Sequence, residues 1–266
     1  MVSLTFGCAT RPFASLPFAE ACQRIAAAGY RDVAVFASQG QVPVRADSTP
    51  EQVRAVRQTA QDAGLQPSML LARTNLDLGL DAAIADYRRL IDNAAALGAR
   101  WLLELGIGQS ERYLDYITLL RGVSPHAAQA GIGISMKPHG GVALTVDDLI
   151  RICNEVQHPA FGISYDPGNI IYYTKGERRP EPDAARAAPL VTTAIIKDCI
   201  VHDDTPDVMI TPGEGWVDFR AVLGGLVSGG FAGPLYLETV GGKTVDEIDA
   251  NVRRTRPFVL AILATL

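Results

Sequence analysis

ISMKPHGG, Ile134 to Gly141, reads as a short apolar strand that ends in a lysine, a proline and a histidine and is released by two glycines. A strand that stops in charged residues is what the rim of a parallel barrel requires, because strand ends there carry the polar groups of a site. Three more stretches repeat the pattern: WLLEL reaches Glu104, FGISY runs into Asp166, and PLYLE ends at Glu238. All are nearly continuous apolar runs rather than alternating ones, as expected of strands buried on both faces.

Outward from these four, strand and helix patterns alternate eight times. The expected strands are residues 3–7, 32–36, 66–71, 100–105, 133–137, 161–165, 191–197 and 235–238. The helix over 16–28 places Phe18, Ala21, Cys22 and Ile25 on one face and stops at Gly29. The next opens with the cap-like STPEQ and stops at Gly64, and the third, 80–97, is closed by Gly98. Gly122 and Pro125 are expected to split the helix over 110–129. Thr145 caps TVDDLIRICNEV, a short helix is expected near 183–188, and the last two helices run from Asp218 to about 227 and over 245–263. Eight strand–helix units without a linker give an α/β chain folded as a single (β/α)8 barrel, one domain over 1–266. A doubly wound open sheet is the rival, but no GxGxxG follows the first strand.

Composition excludes some functions. Lys+Arg 24 against Asp+Glu 29 gives a net charge of −5, and no basic run suggests nucleic acid. Cys8, Cys22, Cys153 and Cys199 are scattered and read as small buried hydrophobes in a reducing compartment. The start of the chain does not read as a signal peptide, and no apolar run approaches the ~20 residues of a membrane span. A cytoplasmic protein with a small-molecule substrate is expected. Self-association is left open, since no patch announces an interface.

At the strand ends the candidates are Glu104; Lys137 and His139; Asp166 and Asn169; Lys197 and Asp198; and Glu238 with Thr239. Spacing by two puts Ser135, Lys137 and His139 on one side of their strand. Each has a plain rival reading. Asp198 suits a helix cap or a local ion pair, Asp166 in DPGN suits a turn, and His139 suits a hydrogen-bonded loop. Convergence favours a site, because charges buried together must be paired or hold a cation. Glu214 in PGEGWVDF could reach a sugar hydroxyl, between two glycines that let the backbone come close. His202 with Asp203 and Asp204 looks like a metal-binding trio but reads better as a solvated loop. Arg11, Arg73 and Lys175 read as surface charge that could instead face the mouth and bind an anion.

Taken together, LTFGCATRPF, AAAGYRDVAVF, ISMKPHGG, ISYDPGN, IIKD, PGEGWVDF and FAGPLYLET resemble the sugar phosphate isomerase/epimerase superfamily, the xylose isomerase-like TIM barrels. The resemblance spans essentially the whole chain. It implies a carbohydrate substrate, proton abstraction next to a carbonyl, and one divalent cation, Mn2+ by preference. That cation would be held by a glutamate, an aspartate, a histidine and a glutamate on the last four strands. Asp166 and Glu238 match two of these, whereas Lys137 and Ile195 stand at the other two. Two arrangements follow. In one, His139, Asp166 and Glu238 hold a metal and Glu104 is the base. In the other, Lys137 replaces the metal as electrophile and Glu238 is the base. Lys197, Asn169 and Glu214 are expected to bind substrate in both. The leading expectation is an isomerase or epimerase. A lyase, dehydratase or decarboxylase, including one working through a lysine Schiff base, is the alternative, and a non-catalytic sugar-binding barrel is the third.

Overall fold

Residues 4–266 are described by a computed structural model. Eight parallel strands close into a barrel: β1 (Phe6–Ala9), β2 (Asp32–Val35), β3 (Gln66–Leu71), β4 (Trp101–Glu104), β5 (Gly133–Met136), β6 (Phe161–Tyr165), β7 (Val191–Ile196) and β10 (Leu235–Leu237). β1 and β10 shut the ring, with Gly7 opposite Tyr236. The outer helices are α1 (Phe18–Ala27), α2 (Pro50–Asp62), α3 (Leu80–Leu97), α4 (Tyr113–Gln129), α5 (Val146–Val156), α7 (Ala184–Ala187), α8 (Phe219–Ser228) and α9 (Val245–Leu263). Most of the apolar core lies between the outer faces of the strands and these helices, where Tyr30, Tyr87, Tyr116 and Tyr165 are buried. Thr49, Thr145 and Thr244 each close a capping box at α2, α5 and α9.

The barrel interior is a separate layer. Ala9, Ala34, Phe36, Met69, Leu103, Ile195 and Tyr236 form its apolar part. Ser135, Ser164 and Thr193 form a polar wall, with Thr193 Oγ1 within 2.8 Å of Ser135 and 2.9 Å of Ser164. Two residues beyond the inward-facing Ser135, Ser164, Ile195 and Tyr236 lie Lys137, Asp166, Lys197 and Glu238, so strand periodicity alone aims all four inward.

Several expectations are corrected. Within the described residues the first strand is Phe6–Ala9, so Leu4 and Thr5 lie before it and it ends beyond Gly7; Ser3, where it was expected to begin, lies outside the described residues. α4 is not split. It runs through Pro125, Ser124 Oγ bonds back to the Leu120 carbonyl, and Gly122 lets Ile84 of α3 pack close. A helix absent from the sequence reading, α6 (Pro167–Tyr173), starts directly at Asp166. The loop after β7 contains a short antiparallel hairpin, β8 (Ile200–His202) and β9 (Thr205–Asp207). Its two-residue turn, Asp203 and Asp204, has positive φ at both positions, which aspartate tolerates better than most residues. Exposed His202 therefore belongs to a surface hairpin.

Candidate active site

Four charged side chains meet at the C-terminal mouth of the barrel, and every one is at most 2% exposed. Lys137 Nζ donates to Glu238 Oε2 at 2.6 Å and Oε1 at 2.9 Å, and to Asp166 Oδ2 at 3.2 Å. Lys197 Nζ donates to Glu238 Oε1 at 2.5 Å, to Asp166 Oδ2 at 3.3 Å and to Asn169 Oδ1 at 3.0 Å. The two ammonium groups thus share the same carboxylate oxygens. Asn169 is fixed by donating its amide to the Pro138 carbonyl at 2.7 Å, which turns its oxygen toward Lys197. Asp166 uses its other oxygen to cap α6, accepting from the Asn169 amide at 3.0 Å. Arg11, half exposed, reaches the edge of the cluster with Nε 3.9 Å from Glu238 Oε1.

Electrostatics separates the members. Burial pulls the Lys137 amine down, but Glu238 and Asp166 together outweigh it and hold the amine above the ordinary lysine value. Burial dominates at Lys197, and with the Lys137 charge it sets that amine below its ordinary value. Burial raises the Glu238 carboxyl, yet Lys137, Lys197 and Arg11 together hold it far below the carboxylate range. His139 is brought down to about 4 by burial and by the two lysines, so its imidazole is neutral. Its ring lies 5.0 Å from that of Tyr173 on α6.

Three sequence expectations are corrected here. Glu104 has the opposite strand parity to Leu103 and points out of the barrel. It accepts from Tyr87 at 2.9 Å, Tyr116 at 3.1 Å, Thr74 at 3.0 Å and the Gly106 amide at 3.2 Å, so it ties β4 to α3 and α4 instead of acting as a base. Glu214 turns to Arg254 of α9 and does not join the cluster. His139, Asp166 and Glu238 do not form a metal set: among the described residues no group of three His, Cys, Asp or Glu side chains is arranged to hold an ion. The donor chemistry explains why. The two ammonium groups already bring the two positive charges of one divalent cation to Asp166 and Glu238, and Lys137 fills a position where the resemblance implies a ligand. A cation added to these groups would leave a large uncompensated positive charge in a dry pocket, so the residues do not fit a metal.

Asp198, by contrast, serves the loop through backbone amides, and not through the helix cap or ion pair that its plainer reading supposed. One oxygen accepts from the amides of Cys199 and Val217, the other from those of Gly213 and Gly215, all at 2.8–3.0 Å. Sequence reasoning did not single out Tyr173, and for Arg11 it favoured surface charge over the place at the mouth that it also named. For Arg11 the odd spacing after Gly7 and Ala9 was the available signal; for Tyr173, in a helix the reading lacked, there was none.

Gly168 is a close-approach glycine. A methyl group there would lie 2.6 Å from Lys197 Cγ and 2.8 Å from the Lys197 carbonyl oxygen. Backbone cannot yield as a side chain can. Gly168→Ala is expected to cost about 1–3 kcal/mol in urea unfolding, the usual range for overpacking, and to displace Lys197. Unchanged stability would show that α6 is not seated against β7 as described.

Comparison with known proteins agrees with this architecture. The sequence pattern of the xylose isomerase-like TIM barrel family matches residues 22–258. A 3-oxo-isoapionate decarboxylase of Pectobacterium atrosepticum is 25% identical over 174 residues, 64% of this chain and 55% of that protein. The chain thus spans about half the length of the curated relative it matches. A xylose isomerase-like TIM barrel protein of Mycobacterium smegmatis, solved in complex with magnesium, superposes with a TM-score of 0.77 at 19% identity, over 99% of this chain and 97% of its own. A D-psicose 3-epimerase from Clostridium cellulolyticum H10, solved with D-tagatose, superposes with a TM-score of 0.78 at 12% identity, over 98% and 99%. At such identities the likeness concerns the fold.

Proposed function

The chain belongs to the xylose isomerase-like TIM barrel family, and from that premise we propose an enzyme that isomerises or epimerises a small hydroxylated carbonyl compound through an enediolate. The observation that carries this reading is the pair of buried ammonium groups on one pair of carboxylates. Removing a proton next to a carbonyl places negative charge on the carbonyl oxygen, and a preorganised cation in a dry site lowers that barrier most effectively. Lys137, held as an ammonium by Glu238 and Asp166, is the electrophile for that oxygen. Glu238 is a poor base, because three cations keep it ionised and engaged. His139, neutral and beside the lysines, is the better proton acceptor. Asn169 and Lys197, which touch each other beside Lys137, then hold the substrate's hydroxyl groups.

Decarboxylation is a second reading of the same site. Loss of carbon dioxide from a 3-oxo acid leaves the same enolate and needs no base. Half-exposed Arg11 at the edge of the cluster suits a substrate carboxylate. The name of the curated relative, a 3-oxo-isoapionate decarboxylase, points the same way.

One experiment tests both. Purified protein is incubated in D2O with a panel of small ketoses, aldoses and 3-oxo sugar acids, with and without chelator, and followed by proton NMR. Deuterium entering the carbon next to the carbonyl, with interconversion of sugars, supports the isomerase. Carbon dioxide release from the oxo acids supports the decarboxylase. Either activity is expected to survive chelation. Activity lost in chelator and restored by Mn2+ or Mg2+ sinks the ammonium electrophile.

A further inference from the structure

Only four of the 24 basic residues of the chain are lysines: Lys137, Lys175, Lys197 and Lys243. Lys175 and Lys243 are exposed at the surface, and the other two are buried together at the barrel mouth. Arginine supplies most of the positive charge elsewhere, and its planar fork suits carboxylates better than an ammonium does. If the site needed only fixed charge, arginine would serve. What lysine alone offers is an amine that can give up its proton and attack a carbonyl, most readily when buried beside another cation.

The two lysines are not equivalent in this respect. All three contacts of Lys137 Nζ are carboxylate oxygens, so its charge is fully used. One of the three contacts of Lys197 Nζ is the neutral Asn169 oxygen. A neutral Lys197 amine keeps two N–H donors, enough for Glu238 and Asn169, while Lys137 still neutralises one of the two carboxylates and Arg11, 3.9 Å from Glu238, is the nearest further cation. Burial and the neighbouring ammonium already bias Lys197 that way.

We propose that Lys197 is a covalent catalyst, whose amine condenses with the substrate carbonyl to form an imine that takes over the role of electron sink. The inference rests on the enolate-forming reading of the site. Nζ bonds to the carbonyl carbon while the C=O π pair moves to oxygen. The two amine protons pass to that oxygen, which leaves as water, and the imine nitrogen takes one proton from Lys137 or from solvent. Loss of the neighbouring proton to His139, or of carbon dioxide, then leaves its electron pair as a C=C bond to the imine carbon while the C=N pair moves onto nitrogen, which gives a neutral enamine. Reprotonation at carbon and addition of water release the product and restore the amine. No oxidant or further reactant is required.

The test is reductive trapping on the whole protein. Wild type is incubated with dihydroxyacetone, and with each ketose that exchanges deuterium, in the presence of borohydride. Intact mass and peptide mapping then locate the adduct. One reduced adduct per chain on Lys197 is expected, with far less on Lys175 and Lys243. Lys197→Arg keeps the charge and is expected to lose the adduct, while its thermal unfolding shows that the fold is retained. An adduct on Lys137, an even spread over the exposed lysines, or no adduct with a ketose that the wild type exchanges would overturn the proposal, and the last result leaves the enolate reading intact. An adduct on Lys197 without deuterium exchange in any compound would support the imine and sink the isomerase.

Discussion

Lys137→Met is expected to abolish turnover and to cost about 3–5 kcal/mol of folding stability, the range for removing one partner of a buried ion pair. Both effects have one cause. Without Lys137, Glu238 and Asp166 share a single buried ammonium, with Arg11 3.9 Å away at the rim. One negative charge is then uncompensated where water does not reach. Pairing the change with Glu238→Gln removes that excess charge, so the double variant is expected to recover most of the lost stability, as buried pairs often do when both partners are neutralised. It is not expected to recover activity, because the electrophile is gone. Urea midpoints and initial rates with the substrate found in the panel measure the two effects separately. A stable, inactive double variant assigns Lys137 to the chemistry. An active single variant would mean that Lys137 is only a counter-ion.

The second large effect is expected at Asp198. Four backbone amides converge on its two oxygens, from Cys199, Gly213, Gly215 and Val217. Replacement by alanine leaves these donors without their acceptor. With about 1–3 kcal/mol for each buried donor left unmatched, and water able to reach part of the loop, a loss of about 3 kcal/mol or more is expected. Asp198→Asn is expected to be nearly as harmful, since its NH2 group must face two amide N–H groups in either orientation. Gly215 leaves no slack, because a methyl group there would lie 2.6 Å from the Cys199 carbonyl oxygen. Hydrogen exchange should accelerate selectively at the four amides. A loss below about 1 kcal/mol in both variants would show that this loop holds its shape by other contacts.

How much of this was legible in the sequence varies element by element. The apolar runs WLLEL, FGISY and PLYLE announced strands covered on both faces, and the third and last helices matched expectation at both ends. Gly79 and Gly98 bracket one of these helices, and Thr244 caps the other. Helix α6 and the β8–β9 hairpin escaped notice because they are too short to show a period, and long-range packing holds them. Pro125 misled because a proline signals a break only where nothing else holds the helix, and α4 is buried against its neighbours along Tyr116, Leu119, Leu120 and Val123.

Strand parity, a property of the chain alone, decided that Lys137, Asp166, Lys197 and Glu238 face one another. The same rule turned Glu104 outward, yet an end-of-strand carboxylate looks the same in sequence whichever way it points. Tertiary structure alone decided which groups pair. It set two ammonium groups against two carboxylates, gave Glu104 to the tyrosines and Glu214 to Arg254, and left His139 neutral. The physical reason is range. Periodicity and capping act over a few residues and are written locally, whereas the charge state of a buried group depends on which distant side chains share its dry environment.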